Sequence, residues 1–389
     1  MGAASGTDEV GRYRRCVPEL PPIDHRRRRV EIAESLAAGP LDALLVTDLT
    51  DVRWLTGFGG SHGWVVVRGD ELVLGTDGRY DDRARAETAG SGATVIAEMR
   101  RERLDARLLE SLAGASAVGL DAAGIDHAAW NGLAADLPLT PLTDNVLKNL
   151  RRRKDVAEVA RIEAAARSAD AALAEVEPMI LAAGDAPVTE ADVRNELEYR
   201  MRRYGADDRS YATIVASGPE NAARPHHEVG ARTIAPGDTV IVDVGALVDG
   251  YHSDMTRSYV VGSASTRQIE IYALVAESQA AGLAAVAPDV AARDVDAACR
   301  SVFDDAGLGD WFIHGTGHGV GLEIHEQPFL GATSEATLVD GDVVTVEPGL
   351  YRGGFGGFRI EDLVVVAGDG SRPVTHTPQR IPQSQNSNQ

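Results

Sequence analysis

Apolar positions along this chain recur at two periods. Between Arg27 and about Asn149 they alternate between helical spacing and strand-like runs. "RRVEIAESLAAG" predicts a helix ending at Gly39, "LDALLVT" a strand, and "HGWVVVRGDELVLGT" a hairpin turning at "RGDE". "LLESLAG", "SAVGLD" and "HAAWNGLAADL" continue the alternation, so residues 25–150 are expected to form an α/β domain. The Arg/Lys-rich stretch at 151–154 marks a boundary, and an Ala-rich segment from Lys154 onward keeps helical spacing. Beyond it, "TVIVDVGALVDGYHSDMTRSYVVG" reads as paired strands with "VDG" at the turn, and "IEIYALVAESQAAGLAAVAP" as a helix. "DVVTVEPGLY" and "FRIEDLVVVAG" read as two more strands. A second domain is expected over 151–378, followed by a polar, disordered tail at 379–389.

Composition narrows the function. A chain of 389 residues exceeds the size at which one core usually keeps growing, which agrees with two domains. With 25% charged and 44% hydrophobic residues it has ample core material. A net charge of -21 argues against nucleic acid or an anionic membrane surface as partner. The basic run Arg26 to Arg29 reads as a solvated helix face. Cys16 and Cys299 cannot build a disulfide framework or a thiolate zinc site, and the start of the chain has no apolar signal core, so a cytoplasmic protein is expected. Gly6 stands where a myristoylation signal wants serine or threonine.

Three motif matches fail on context. Ser61 in "GGSHG" fits G-x-S-x-G but leads into a strand, whereas a nucleophile elbow leads into a helix. The glycines at 315–321 have neither dinucleotide nor phosphate-loop spacing. His325-Glu326 begins H-E-x-x-H, but Phe329 stands where the second histidine belongs.

Four acids interrupt apolar strand runs: Asp243, Asp254, Glu347 and Glu361. Buried carboxylates need compensation, and strand pairing would set Asp243 beside Asp254 and Glu347 beside Glu361. Two divalent cations would balance four carboxylates. Oxygen ligands with one imidazole favour manganese, cobalt or iron, with zinc compatible. His318 is the expected imidazole, since its flanking glycines would let the backbone bend and approach the ions.

The ordered set Asp243, Asp254, His318, Glu347 and Glu361 resembles the pita-bread metallopeptidases, the group of methionine aminopeptidase, aminopeptidase P and prolidase. "DVGALVDGYHSDMTRSYVVG", "HGTGHGVGLEIHE", "VEPGLY" and "RIED" resemble the proline-directed branch, and "DVRWLTGFGGSHG" and "GTDGRY" look like a creatinase-type N-terminal domain. The resemblance implies an α/β (α+β) protein, a creatinase-like N-terminal domain followed by a pita-bread catalytic domain. It implies that the five residues hold two metals, with Glu347 also shuttling a proton. His226 and His325 would contact the scissile peptide, His314 would line a proline pocket, and Tyr351 and Arg359 would orient the ligating acids. If "PHH" at 225–227 is extended, His226 and His227 point to opposite faces and one of them reaches the site.

The activity so implied is hydrolysis of the bond preceding proline, on peptides with proline at the second position, by a protein that forms homodimers in this family. Phe329 stands where some dipeptidases of the group place an arginine, which favours an Xaa-Pro aminopeptidase with Xaa-Pro dipeptidase activity close behind. An inactive peptidase-like binding protein and a metal-free creatinase-type hydrolase are the alternatives, and neither needs four buried acids.

Overall fold

The computed structural model describes residues 19–142 and 146–384; the expectations on Gly6, Cys16 and residues 385–389 lie outside them. Pro22–Arg151 form one compact unit. Its strands are β1 (Ala43–Val46), β2 (Gly63–Arg68), β3 (Glu71–Asp77), β4 (Thr94–Glu98), β5 (Val118–Asp121) and β6 (Leu139–Leu142), in the sheet order β4-β3-β2-β1-β5-β6. The β2–β3 hairpin turns at Gly69 with φ 57°, a conformation that costs a residue with a Cβ roughly 1–2 kcal/mol. Helix His25–Ala38 turns Arg28, Ile32 and Leu36 inward at i, i+4 and i+8. That corrects the reading of 26–29 as a wholly solvated face. Arg28 is buried over the Trp54 ring, 4.6 Å from its centroid, and donates to the Trp54 carbonyl at 2.7 Å.

The second unit begins at Arg152, and residues 19–21 belong to it through Leu20 on its core and an Arg161–Pro21 carbonyl bond of 2.9 Å. Its long helices are α1 (Val156–Leu181), α2 (Glu190–Arg203), α3 (Thr266–Ala285) and α4 (Ala292–Asp305). Asp155 and Glu158 close a capping box on α1, and its alanines let strands pack closely against it. Helix α2 was not legible as an apolar stripe because, apart from Glu190, it buries three side chains, Val193, Leu197 and Met201.

The strands of this unit are β7 (Asp208–Arg209), β8 (Ile214–Ser217), β9 (Thr239–Asp243), β10 (Ala246–Val248), β11 (Tyr251–His252) and β12 (Thr256–Val260), then β13 (Gly317–Gly319), β14 (Glu326–Leu330), β15 (Val343–Val346), β16 (Gly349–Arg352), β17 (Gly356–Arg359), β18 (Asp362–Ala367) and β19 (Gly370–Pro373). They form sheets β12-β9-β8, β11-β10-β7, β14-β13-β15-β18-β19 and β16-β17. The β10–β11 turn has positive φ at Asp249 (47°) and Gly250 (79°), the type I′ geometry that Asp-Gly favours. Each of the two C-terminal expected strands is split. "DVVTVEPGLY" breaks after Val346, where Pro348 cannot donate to a ladder, and "FRIEDLVVVAG" breaks between Arg359 and Asp362. Each half then joins a different sheet, and Glu347 and Glu361 sit in the breaks.

The tail expected to be disordered from 379 is held as far as 384. Ala264 N–H donates to the Gln383 carbonyl at 2.9 Å, Arg380 pairs with Glu177 at 2.8 Å, and Gln379 bonds Gln279 at 3.2 Å. Among the described residues no helix is long and apolar enough to cross a membrane.

Candidate active site

Asp243 ends β9 directly opposite Thr256, the first residue of β12, and Asp254 precedes Thr256 by two. The Tyr211 hydroxyl lies between Asp243 Oδ1 and Asp254 Oδ1, within hydrogen-bond reach of both. On the other side, Val346 pairs with Asp362 in β15–β18, so Glu347 and Glu361 stand one step beyond the same rung. Thr256 joins the two halves. Glu361 N–H donates to the Thr256 carbonyl at 3.1 Å, and the Thr256 hydroxyl donates to Glu361 Oε2 at 2.7 Å.

His318 is the middle residue of β13. Its Nδ1 is 3.0 Å from the Gly319 carbonyl, which can only accept, so Nδ1 carries the proton and Nε2 presents a lone pair. That Nε2 lies 3.5 Å from Asp254 Oδ2 and 3.6 Å from Glu347 Oε1. One ligand atom each from Asp254, His318 and Glu361 falls within 4.8 Å of the other two. The glycines beside His318 serve a purpose other than the expected one. Neither has a positive φ; a Cβ on Gly317 would lie 2.0 Å from the Thr345 carbonyl oxygen, and one on Gly319 2.4 Å from that of Gln327. They let β13 press between its neighbours, and this close packing sets where the imidazole stands.

Arg359 ties the acids together. It donates to Asp243 Oδ2 at 2.7 Å, to the Thr256 hydroxyl at 3.0 Å, to the Tyr351 hydroxyl at 2.9 Å and to the Pro225 carbonyl at 3.1 Å. His314 Nδ1 is 2.7 Å from the Gly315 carbonyl, and its Nε2 is 3.0 Å from the Tyr351 hydroxyl. The direction of this relay follows from its ends. The carbonyl fixes the proton on Nδ1, so Nε2 accepts from Tyr351, whose oxygen accepts from Arg359.

Burial pushes the Asp254, Glu347 and Glu361 carboxyls well above the usual carboxylate range, and each is pushed further by a neighbouring acid: Asp243, Glu361 and Asp254 respectively. Burial, reinforced by Asp243 and Asp254, likewise raises the Tyr211 hydroxyl. It lowers His318 to about 4 and, with Arg359 adding to the effect, His314 to about 4. Were all four carboxyls ionised, the one guanidinium would leave three negative charges uncompensated. A donor set of clustered carboxylate oxygens with one imidazole lone pair fits divalent cations, whose charge relieves that repulsion.

Nine of the ten site residues expected from sequence line one cavity of about 460 Å³: Asp243, Asp254, His318, Glu347, Glu361, His226, His325, His314 and Arg359. Tyr351 stands behind His314 and is buried. The His325 ring meets His318 edge-on at 4.4 Å. His226 lines the cavity, whereas His227 turns to Glu190 at 3.0 Å; the two part at a bend and not along an extended strand. Sequence reasoning missed Tyr211 and Thr256, a lone tyrosine and a strand threonine with no spacing signal.

Comparison with known proteins bears on both units. The model of metallopeptidase family M24 matches residues 160–367, and that of the creatinase/prolidase N-terminal domain matches 28–152. The chain is 38% identical to an uncharacterized peptidase, YqhT, of Bacillus subtilis (strain 168), over 88% of this chain and 95% of that protein. Among solved structures it resembles an Xaa-Pro dipeptidase from Bacillus anthracis, with TM-score 0.86 and 31% identity over 92% of this chain and 99% of the other. It also resembles an X-Pro aminopeptidase from Thermotoga maritima MSB8, with TM-score 0.83 and 28% identity over 92% and 99%.

Proposed function

The chain belongs to metallopeptidase family M24, in its pita-bread, proline-directed branch, and carries a creatinase/prolidase N-terminal domain; from that membership we propose that it hydrolyses the peptide bond preceding a proline at position two. The observation that supports this reading is the convergence of four carboxyls, the His318 lone pair and three further histidines on one cavity.

Asp243, Asp254, His318, Glu347 and Glu361 would hold two divalent ions, manganese being the expected metal for so oxygen-rich a set. When bound, such ions supply Lewis acidity and lower the pKa of water toward neutrality. The chain's own groups do the rest. Glu347, which lines the cavity, accepts the proton of the attacking water at its carboxylate and returns it to the departing amine. His226 and His325 donate hydrogen bonds to the peptide oxygen as it gains charge. His314 has no proton to give, because Nδ1–H is used by Gly315 and Nε2 by Tyr351, so its ring serves as a wall for the proline ring. Arg359 and Tyr351 keep Asp243 and His314 in place.

Among the described residues, Arg359 is the one arginine or lysine lining the cavity, and its donors are engaged. A dipeptide's carboxylate therefore meets no dedicated cation, and Phe329 stands half-exposed at the wall. This favours Xaa-Pro aminopeptidase activity. Similarity to proteins named Xaa-Pro dipeptidase supports the second reading, in which dipeptides are the main substrate. Comparing kcat/KM for an Xaa-Pro dipeptide with that for an Xaa-Pro-Xaa tripeptide separates them, and a strong dipeptide preference would overturn the first. A reducing, cytoplasmic setting and a homodimer complete the proposal.

A further inference from the structure

His226 has neither strand nor helix to hold it: residues 222–232 consist of turns, bends and irregular backbone. Two buried groups nevertheless grip its neighbours on either side. Arg359 donates to the Pro225 carbonyl at 3.1 Å, and His227 Nε2 lies 3.0 Å from Glu190 Oε2.

Glu190 is fully buried in the first turn of α2, away from the catalytic cavity. Its other oxygen, Oε1, accepts from the Ser217 N–H at 2.8 Å, the Ser217 hydroxyl at 2.7 Å and Asn221 Nδ2 at 3.0 Å. All four donors come from residues 217–227. The backbone repeats the tie: Glu190 N–H donates to the Arg232 carbonyl at 3.0 Å and Ala191 N–H to that of Gly230 at 3.1 Å. A fully buried carboxylate costs several kcal/mol unless its oxygens are well supplied with donors. Here the side-chain donors are Ser217 and Asn221, which lead into the link that carries His226, and His227 within it. His226 lies directly between these two anchored residues, Pro225 held by Arg359 and His227 held by Glu190, so the backbone that carries its ring is fixed on both sides.

We propose that Glu190 and His227 are positioning residues, a buried latch that sets where His226 stands over the substrate carbonyl. This rests on the donor role given to His226 above. A misplacement of about 1 Å costs on the order of 100-fold in a preorganised site. His227→Ala is accordingly expected to lower kcat roughly 10- to 100-fold with KM within about twofold. His227→Gln, whose amide nitrogen can occupy the place of Nε2, should recover most of that loss.

The test is a double-mutant cycle on the metal-loaded protein with an Xaa-Pro-Xaa tripeptide, combined with imidazole NMR of histidine-labelled protein loaded with diamagnetic zinc. His227→Ala added to His226→Ala should lower kcat no further. The His226 ring resonances should shift in His227→Ala and return in His227→Gln, with metal content unchanged. Additive losses, a His227→Gln variant as impaired as His227→Ala, or unmoved His226 resonances would each overturn the latch. His226→Ala with wild-type kcat would instead remove the donor role of His226, and the latch would then stand or fall on the resonances alone.

Discussion

In the first unit Arg151 meets Asp51 at 2.7 Å with both side chains buried, a guanidinium set against a carboxylate. In the second, four carboxyls surround one cavity and face a single guanidinium. The imbalance is local to that cavity, because the same unit pairs buried Lys154 with Glu326 and Arg257 with Asp362 elsewhere. An uncompensated buried charge costs several kcal/mol, so a fold that matches its structural charges and leaves one cluster unmatched has reserved that cluster for something bound after folding. Arg151–Asp51 belongs to stability, and the cavity acids are the proposed ligands of the metals.

The largest expected effect follows from removing a member of the unmatched cluster. Asp254→Asn and His318→Ala should each lower peptide hydrolysis by on the order of 10³-fold or more, beyond the loss of a single transition-state donor. Bound metal should fall in parallel, and the melting temperature of the metal-free variant should hold or rise as repulsion is relieved. Wild-type metal content with full activity in either variant would break the comparison. Asp51→Ala should do the opposite. Losing the buried Arg151–Asp51 contact is expected to cost about 3 kcal/mol in urea unfolding while leaving metal content per folded molecule unchanged.

How much of this could be read from the chain follows the same division. The hairpins were legible because Asp249-Gly250 and Gly69 impose turn geometry locally. The metal-ligand candidates were legible because an acid inside an apolar run violates the strand pattern. Helix α2 was not, since its stripe of Val193, Leu197 and Met201 is diluted by charge. Arg28 was misread because a charged residue can bury its stem and guanidinium on a ring that is distant in sequence. The glycines of β13 were visible but explained wrongly: the carbonyls they avoid, Thr345 and Gln327, come from two other strands. Tyr211 bridges Asp243 and Asp254, and Thr256 bonds Glu361 from a part of the chain distant in sequence, so their roles exist only once those segments are packed.

Removing the metals sharpens the comparison through pH. Asp254, Glu347 and Glu361 hold their protons more tightly in the folded, metal-free chain than in the unfolded one, because burial and neighbouring acids raise them. The folded state then binds more protons, and stability falls as pH rises from the ordinary carboxylate range near about 4 toward the raised values. Chelator-treated protein should therefore lose melting temperature as pH rises above the ordinary carboxylate range, while the metal-loaded protein does not. Parallel curves with and without metal would show that these acids are compensated from within the chain.

The smallest effect concerns the rim. Phe329 is half-exposed and lines the cavity, and no lysine or free arginine stands beside it among the described lining residues. Phe329→Arg adds one solvent-accessible cation where a dipeptide's carboxylate would arrive but a longer peptide presents a neutral amide. An exposed ion pair contributes about 0.2–1 kcal/mol, so the ratio of dipeptide to tripeptide kcat/KM should rise about 1.5- to 5-fold. The gain should shrink in high salt, because screening weakens an exposed pair far more than it weakens the buried cluster. An unchanged ratio at low salt would mean that the substrate's far end lies away from Phe329, and the preference for longer peptides would need another cause.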